Sequence, residues 1–269
     1  MSAVRPRLLL AATLLTLGVV PLAPALAQSS AAAGSADIAA AVAAPGRTPA
    51  NVARDKYRHP AETLRFFGVR PDQTLVEYMP AGGWYTEILA PLLRDRGRFY
   101  AAQPAGRGAD ALKATLDGDA ARYGKVALVG WPQTGIAPGS VDTLLTFRNI
   151  HNMVMRGNEA EQFRAFYALL KPGGTLGIVD HRLPEERDSA LEKTSGYLKV
   201  STVRRLAEAA GFVFEESAEI NANPKDSADW DKGVWMLPPT LSNGAVDRDK
   251  YLAVGESDRM TLRFRKPQG

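Results

Sequence analysis

The chain contains no cysteine. That absence excludes disulfides, thiol nucleophiles and cysteine metal sites in one step, and it suits an oxidising compartment. No apolar run after the N-terminal segment is long enough to span a bilayer. No long basic run occurs either. Acidic and basic residues are interleaved, the formal net charge is +4, and no nucleic-acid partner is expected. No Gly-x-Ser-x-Gly elbow follows a strand-like run, which argues against a serine hydrolase.

The N-terminus has a different character. Arg5 and Arg7 precede an apolar run, Leu8 to Val20, that is too short to cross a membrane comfortably. Ala25-Leu26-Ala27 is a small-x-small cleavage pattern. Residues 1–27 therefore read as a secretory signal peptide, with an uncleaved anchor as the alternative. No cysteine stands near Ala27 for lipoprotein processing, and no adjacent arginine pair marks a twin-Arg route. The expected location is periplasmic or secreted, with no stable span after cleavage. Loss of Arg5 and Arg7 would leave a net charge of +2. Residues 28–50 are rich in Ala, Ser and Gly and read as a linker or frayed helix. Residues 51–269, roughly 220 positions, suffice for one α/β domain.

Strand-like and helix-like runs alternate through that domain. Strands are expected at Thr74–Tyr78, Arg98–Ala102, Val126–Val129, Val141–Phe147, Thr175–Asp180, Phe212–Ser217 and Thr261–Arg265. Helices are expected at Pro60–Phe67, Tyr85–Leu93, 109–122, Glu159–Leu170 and Val200–Ala210. This order predicts a Rossmann-like α/β fold: a seven-stranded, mostly parallel sheet with helices on both faces. A long Pro-, Asn- and Asp-rich stretch, 221–258, replaces the last crossover helix, so the final strand is expected to be antiparallel. An insert of that length is usually functional.

Three clusters fall at carboxyl ends of expected strands, the rim that holds ligands in such sheets. Glu77-Tyr78-Met79-Pro80-Ala81-Gly82-Gly83-Trp84 ends the first strand and opens a helix. Its glycines permit close backbone approach, and the helix start offers free N–H groups; an ordinary surface turn is the plainer reading. Asn149 and His151 follow the fourth strand, and Asp180 and His181 end the fifth. An imidazole there could act as general base, or merely bond neighbouring loops. His151, Asp180 and His181 could conceivably bind a metal, but no tight spacing supports one and none is expected. Trp230 and Trp235 in the insert suit either a substrate wall or a satellite cluster. The charged runs Asp247–Tyr251 and Glu256–Arg259 read as solvated faces. Ser195 reads as a helix cap.

Several segments taken together carry a resemblance. They are Glu77-x-x-Pro-x-Gly-Gly-Trp-Tyr-Thr, Phe147-Arg148-Asn149-x-His151-Asn152, Leu170-Lys171-Pro172-Gly173-Gly174, Asp180-His181-Arg182 and Glu256-Ser257-Asp258-Arg259-Met260. Over roughly residues 51–267 the chain resembles the predicted exported methyltransferases of bacteria, within the class I S-adenosylmethionine-dependent superfamily. The resemblance implies a last strand inserted antiparallel and S-adenosylmethionine bound over the first two strands. Glu77, Pro80, Ala81, Gly82 and Gly83 would form the first cofactor motif. Gln103 would meet the ribose hydroxyls, where an acidic residue is usual, and Trp131 would lie near the adenine. His151, with Asn149, would orient or deprotonate a small-molecule or envelope-associated acceptor, and Asp180 and His181 would line the same rim. Met79 and Ala81 stand where the superfamily commonly has glycine. They motivate the alternative of a non-catalytic binding protein on the same fold. Too few glycines remain for a dinucleotide fingerprint, which sets a nicotinamide oxidoreductase below both.

Overall fold

The computed structural model describes Met1 and residues 34–269. The body of the expected signal peptide and its cleavage site lie outside the described residues. Among the described residues, no helix is long and apolar enough to cross a membrane. The Ala-rich segment is helical over 34–43, and Ile38 and Ala41 are buried in the core.

Seven strands form one sheet. They are β1 (Thr74–Tyr78), β2 (Arg98–Ala102), β3 (Val126–Val129), β4 (Val141–Phe147), β5 (Leu170–His181), β6 (Val213–Ala218) and β7 (Arg259–Arg265). Their order is β3-β2-β1-β4-β5-β7-β6. β1 to β5 pair in parallel, and β7 runs antiparallel between β5 and β6. The expected architecture is therefore the observed one. β5 starts earlier than expected, because Leu170 already pairs with Val141 across a register shift.

The labelled helices are α1 (Pro60–Phe66), α2 (Thr86–Leu93), α3 (Arg107–Gly118), α4 (Ile150–Arg156), α5 (Glu159–Leu169), α6 (Val200–Ala209) and α7 (Arg248–Val254). The expected helix over 109–122 is divided at Asp119, whose carboxylate accepts the Arg122 N–H and starts a new turn. Ser195 does not cap α6, which begins five residues later; its hydroxyl bonds the Leu191 carbonyl instead.

Strand side chains alternate between the faces of the sheet. Val76, Leu144 and Ile178 point to one layer, with Met153 of α4, Phe166 of α5 and Leu206 of α6. Leu75, Leu145 and Val179 point to the other, with Leu64 of α1, Leu89 of α2 and Leu112 of α3. Gly177 on β5 is required by this packing. A Cβ there would sit 2.6 Å from Leu145 and 2.8 Å from the Phe67 ring.

Two features aim the fold at one rim. β1, β4 and β5 end in register, with Tyr78 beside Thr146 and Phe147 beside Val179. Because β7 runs backwards, its first residue Arg259 pairs with His181 at the end of β5. The preceding Glu256-Ser257-Asp258 segment is thereby delivered to the same rim. Glu256, Ser257 and Arg259 are buried, which corrects the expectation of a solvated face: the antiparallel strand turns this charged run inward.

Candidate functional site

A cavity of about 420 Å³ opens at the carboxyl ends of β1, β4 and β5. Its walls come from the 79–82 turn after β1, the 147–152 segment after β4, His181, and the N-terminal stretch carrying Asn51, Arg54 and Arg58. The rings of Tyr85 and Phe147, both lining it, stack 3.6 Å apart. Trp235 and Thr240 of the insert line it as well. Trp230 instead packs on Tyr251 and bonds Asp226. Both tryptophans belong to a satellite cluster, and Trp235 is a cavity wall as well.

Asp180 organises the rim. Its Oδ2 accepts the N–H groups of Ile150 at 2.6 Å and His151 at 3.2 Å, the free donors at the start of α4. Its Oδ1 accepts the His181 N–H at 2.8 Å and lies 2.8 Å from His151 Nδ1. The carboxylate oxygen there makes Nδ1 the donor nitrogen of the His151 ring. Nε2 then carries the lone pair, and it has no protein partner among the described residues. A lone pair on an oriented imidazole beside a cavity can accept a proton. Asn149 lies just before α4 and donates from Nδ2 to the Tyr78 carbonyl at 3.0 Å. It ties the β4 loop to the end of β1.

His181 has a different environment. Arg148 Nε donates to its Nε2 at 3.2 Å, and its Nδ1 faces the Ser257 hydroxyl. Burial first, then the neighbouring Arg148 charge, holds its pKa well below the usual histidine value. His181 is therefore a neutral group with both nitrogens in use. It supports the site and is not poised to take a proton. His151, Asp180 and His181 place one ligand atom each within 4.8 Å of one another. Asp180 already accepts four donors, and Arg148 stands against His181, so this arrangement serves orientation rather than cation binding.

The turn after β1 keeps the shape of a glycine-rich loop without all of its glycines. Met79, Ala81 and Gly83 have φ of 49°, 51° and 75°. The left-handed conformation is therefore retained at two positions where a side chain makes it costly. Pro80, Ala81 and Gly82 line the cavity, and Gly83 does not. Glu77 also lines it, fully enclosed, with Thr86 donating to Oε2 at 2.7 Å. Burial raises its carboxyl to about 7, against the lowering effect of the Thr86 hydroxyl.

Gln103 and Trp131 do not line this cavity. Gln103 ends β2 and is buried, and its side-chain oxygen has no hydrogen-bond partner. Trp131 packs edge-on to Tyr78 at 4.8 Å and donates to Gln162.

Sequence reasoning missed the arginines. Arg54, Arg58 and Arg259 all bond Glu256, at 2.6, 3.1 and 2.9 Å. The Arg58 guanidinium also lies 4.7 Å from the Trp84 ring centre. Three arginines in 54–65, spaced four and seven apart, read like any helix surface. Only the reversed β7, which brings in Glu256, gives two of them a buried partner.

No family model matches the chain, and no curated protein matches it. Solved structures do. A SAM-dependent methyltransferase from Aquifex aeolicus aligns with a TM-score of 0.57 at 13% identity, over 86% of this chain and 98% of that one. The chain has the class I methyltransferase fold. The [4+2]-cyclase SpnF aligns equally well, with a TM-score of 0.58 at 14% identity, over 89% and 97%. Such identities establish shared architecture, and chemistry must be argued from the site.

Proposed function

We propose that this chain is an exported S-adenosylmethionine-dependent methyltransferase acting on a small or envelope-associated acceptor. The observation that carries the reading is the Asp180–His151 pair opening onto the cavity formed by the 79–82 turn. The residues present fit the cofactor. The left-handed turn offers backbone, and the buried Glu77 offers an acceptor for an ammonium group. Gln103, the ribose partner that the resemblance implies, lies off this cavity with its side-chain oxygen buried. When bound, the cofactor supplies a methyl group on a sulfonium that leaves as a neutral thioether.

The chain's own residues do the rest. His151 Nε2 takes the proton of the acceptor nucleophile. Asp180 holds the ring so that this nitrogen faces outward and stabilises the imidazolium that forms. Asn149 and Arg148 fix the rim around it. Methyl transfer needs mainly positioning, and these contacts provide it. Calorimetry with S-adenosylhomocysteine tests the reading. Absence of heat with folded protein removes it.

A second reading keeps the fold as a binding protein without the chemistry. It is favoured by Gln103 and Trp131 lying off the cavity. Native mass spectrometry separates the two readings. Co-purified S-adenosylhomocysteine supports the enzyme, and a different small ligand supports the binding protein.

A further inference from the structure

The cavity is short of negative charge. Arg54, Arg58 and Arg148 line it, and Arg259 acts on Arg58 and Arg148 from behind. Three of these four guanidiniums, those of Arg54, Arg58 and Arg259, share one contacting carboxylate, Glu256. Among the described residues, no carboxylate pairs with Arg148, whose Nε bonds the neutral His181. Asp180 is near Arg148 but is already engaged by four donors.

The geometry adds a second observation. Arg54 Nη2 and Arg58 Nη2 are buried without a hydrogen-bond partner, although both side chains border the cavity. Buried, unpaired guanidinium N–H groups are costly, so those of Arg54 and Arg58 call for an acceptor. Burial and mutual repulsion lower Arg58 to about 9 and Arg148 to about 10. They remain charged at neutral pH. Planar guanidinium forks match carboxylate and phosphate oxygens. The cofactor does not balance this wall. It brings a sulfonium and an ammonium against a single carboxylate.

We propose that Arg54, Arg58 and Arg148 form a subsite for the carboxylate or phosphate of an anionic substrate, in the same cavity as His151. Calling that substrate the methyl acceptor rests on the methyltransferase reading; the anion subsite rests on the arginines alone. The acceptor class is then a small organic acid or phosphate ester. Its nucleophile lies a few bonds from the anion, so that seating the anion presents the nucleophile to Nε2 of His151.

Calorimetric titration of inorganic phosphate into the full chain tests this, with and without saturating S-adenosylhomocysteine, for wild type and Arg54→Gln. The expected result is saturable one-site phosphate binding that persists with S-adenosylhomocysteine present and weakens about tenfold or more in Arg54→Gln. Arg54→Lys, which keeps the charge and removes the fork, replaces that variant if it fails to fold, and a severalfold weakening is then expected. Phosphate binding abolished by S-adenosylhomocysteine would assign the arginines to the cofactor's own carboxylate and overturn the proposal. Absent or non-saturable phosphate binding would also overturn it, as would binding indifferent to Arg54. Phosphate binding that depends on Arg54, with no heat from S-adenosylhomocysteine, upholds the anion subsite and removes the methyltransferase reading alone.

Discussion

Asp180 holds His151 twice, through the ring at Nδ1 and through the backbone N–H at the first turn of α4. One carboxylate therefore sets both where the helix starts and which imidazole nitrogen faces the cavity. Asp180→Ala strands four buried donors and should destabilise the fold by about 3–5 kcal/mol, read from denaturant midpoints. His151→Gln should change stability by less than about 1 kcal/mol. It should lower turnover by about 10²–10⁴ on an acceptor whose nucleophile carries a proton. Equal losses of stability in the two variants would reduce His151 to a packing residue.

Glu77 makes stability fall as pH rises. Its carboxyl moves from 4.5 to about 7 on folding, with burial the main cause. Below pH 4.5 both states hold the proton and the contribution is complete. Between 4.5 and 7 the unfolded chain releases its proton first, and about 3 kcal/mol is lost by the upper end. Glu77→Gln keeps an acceptor for Thr86 and cannot ionise. Its unfolding free energy should exceed wild type at pH 8 and converge with it near pH 4. Parallel pH profiles would contradict the assignment.

His181 acts in the opposite direction. Its folded pKa is depressed, so its contribution is present above 6.5, the unfolded value, and is lost as pH falls below it. Relative to wild type, His181→Asn should gain stability as pH falls from 6.5 to 5, measured by urea unfolding of both proteins, because Glu77 acts in the opposite sense in each and cancels from the difference. A difference that does not change with pH in that window would rule out the buried neutral imidazole.

Gln103 lies off the cavity, with its side-chain oxygen buried and unpartnered. With the cofactor held in the cavity, Gln103→Ala should leave S-adenosylhomocysteine affinity unchanged, measured by calorimetry on the folded variant. Lost binding would instead place the ribose at the end of β2.

The sheet was legible because each strand is a short apolar run with clear turn residues at its ends. β1 to β4 begin and end where expected. The rim residues His151 and Asp180 were legible from their place after β4 and β5. The short helix α4 was not anticipated, since seven residues are too few for an apolar period to stand out and its first turn is held by Asp180. The arginine wall was hidden for a stronger reason. Arg58 and Glu256 are 198 positions apart, and local spacing carries no trace of their meeting. The 221–258 insert contributes Trp235 and Thr240 to the cavity wall, but its internal packing, with Met236, Leu237 and Tyr251 as a cluster, follows no simple period.

The central claim is that the cavity between the 79–82 turn and His151 holds the cofactor. Titration of the folded chain with S-adenosylhomocysteine, followed by calorimetry, tests it most directly. Saturable one-to-one binding is expected, rising in affinity as pH passes 7, where Glu77 ionises and can accept an ammonium group. Folded protein that gives no heat at any pH between 6 and 9 would contradict it.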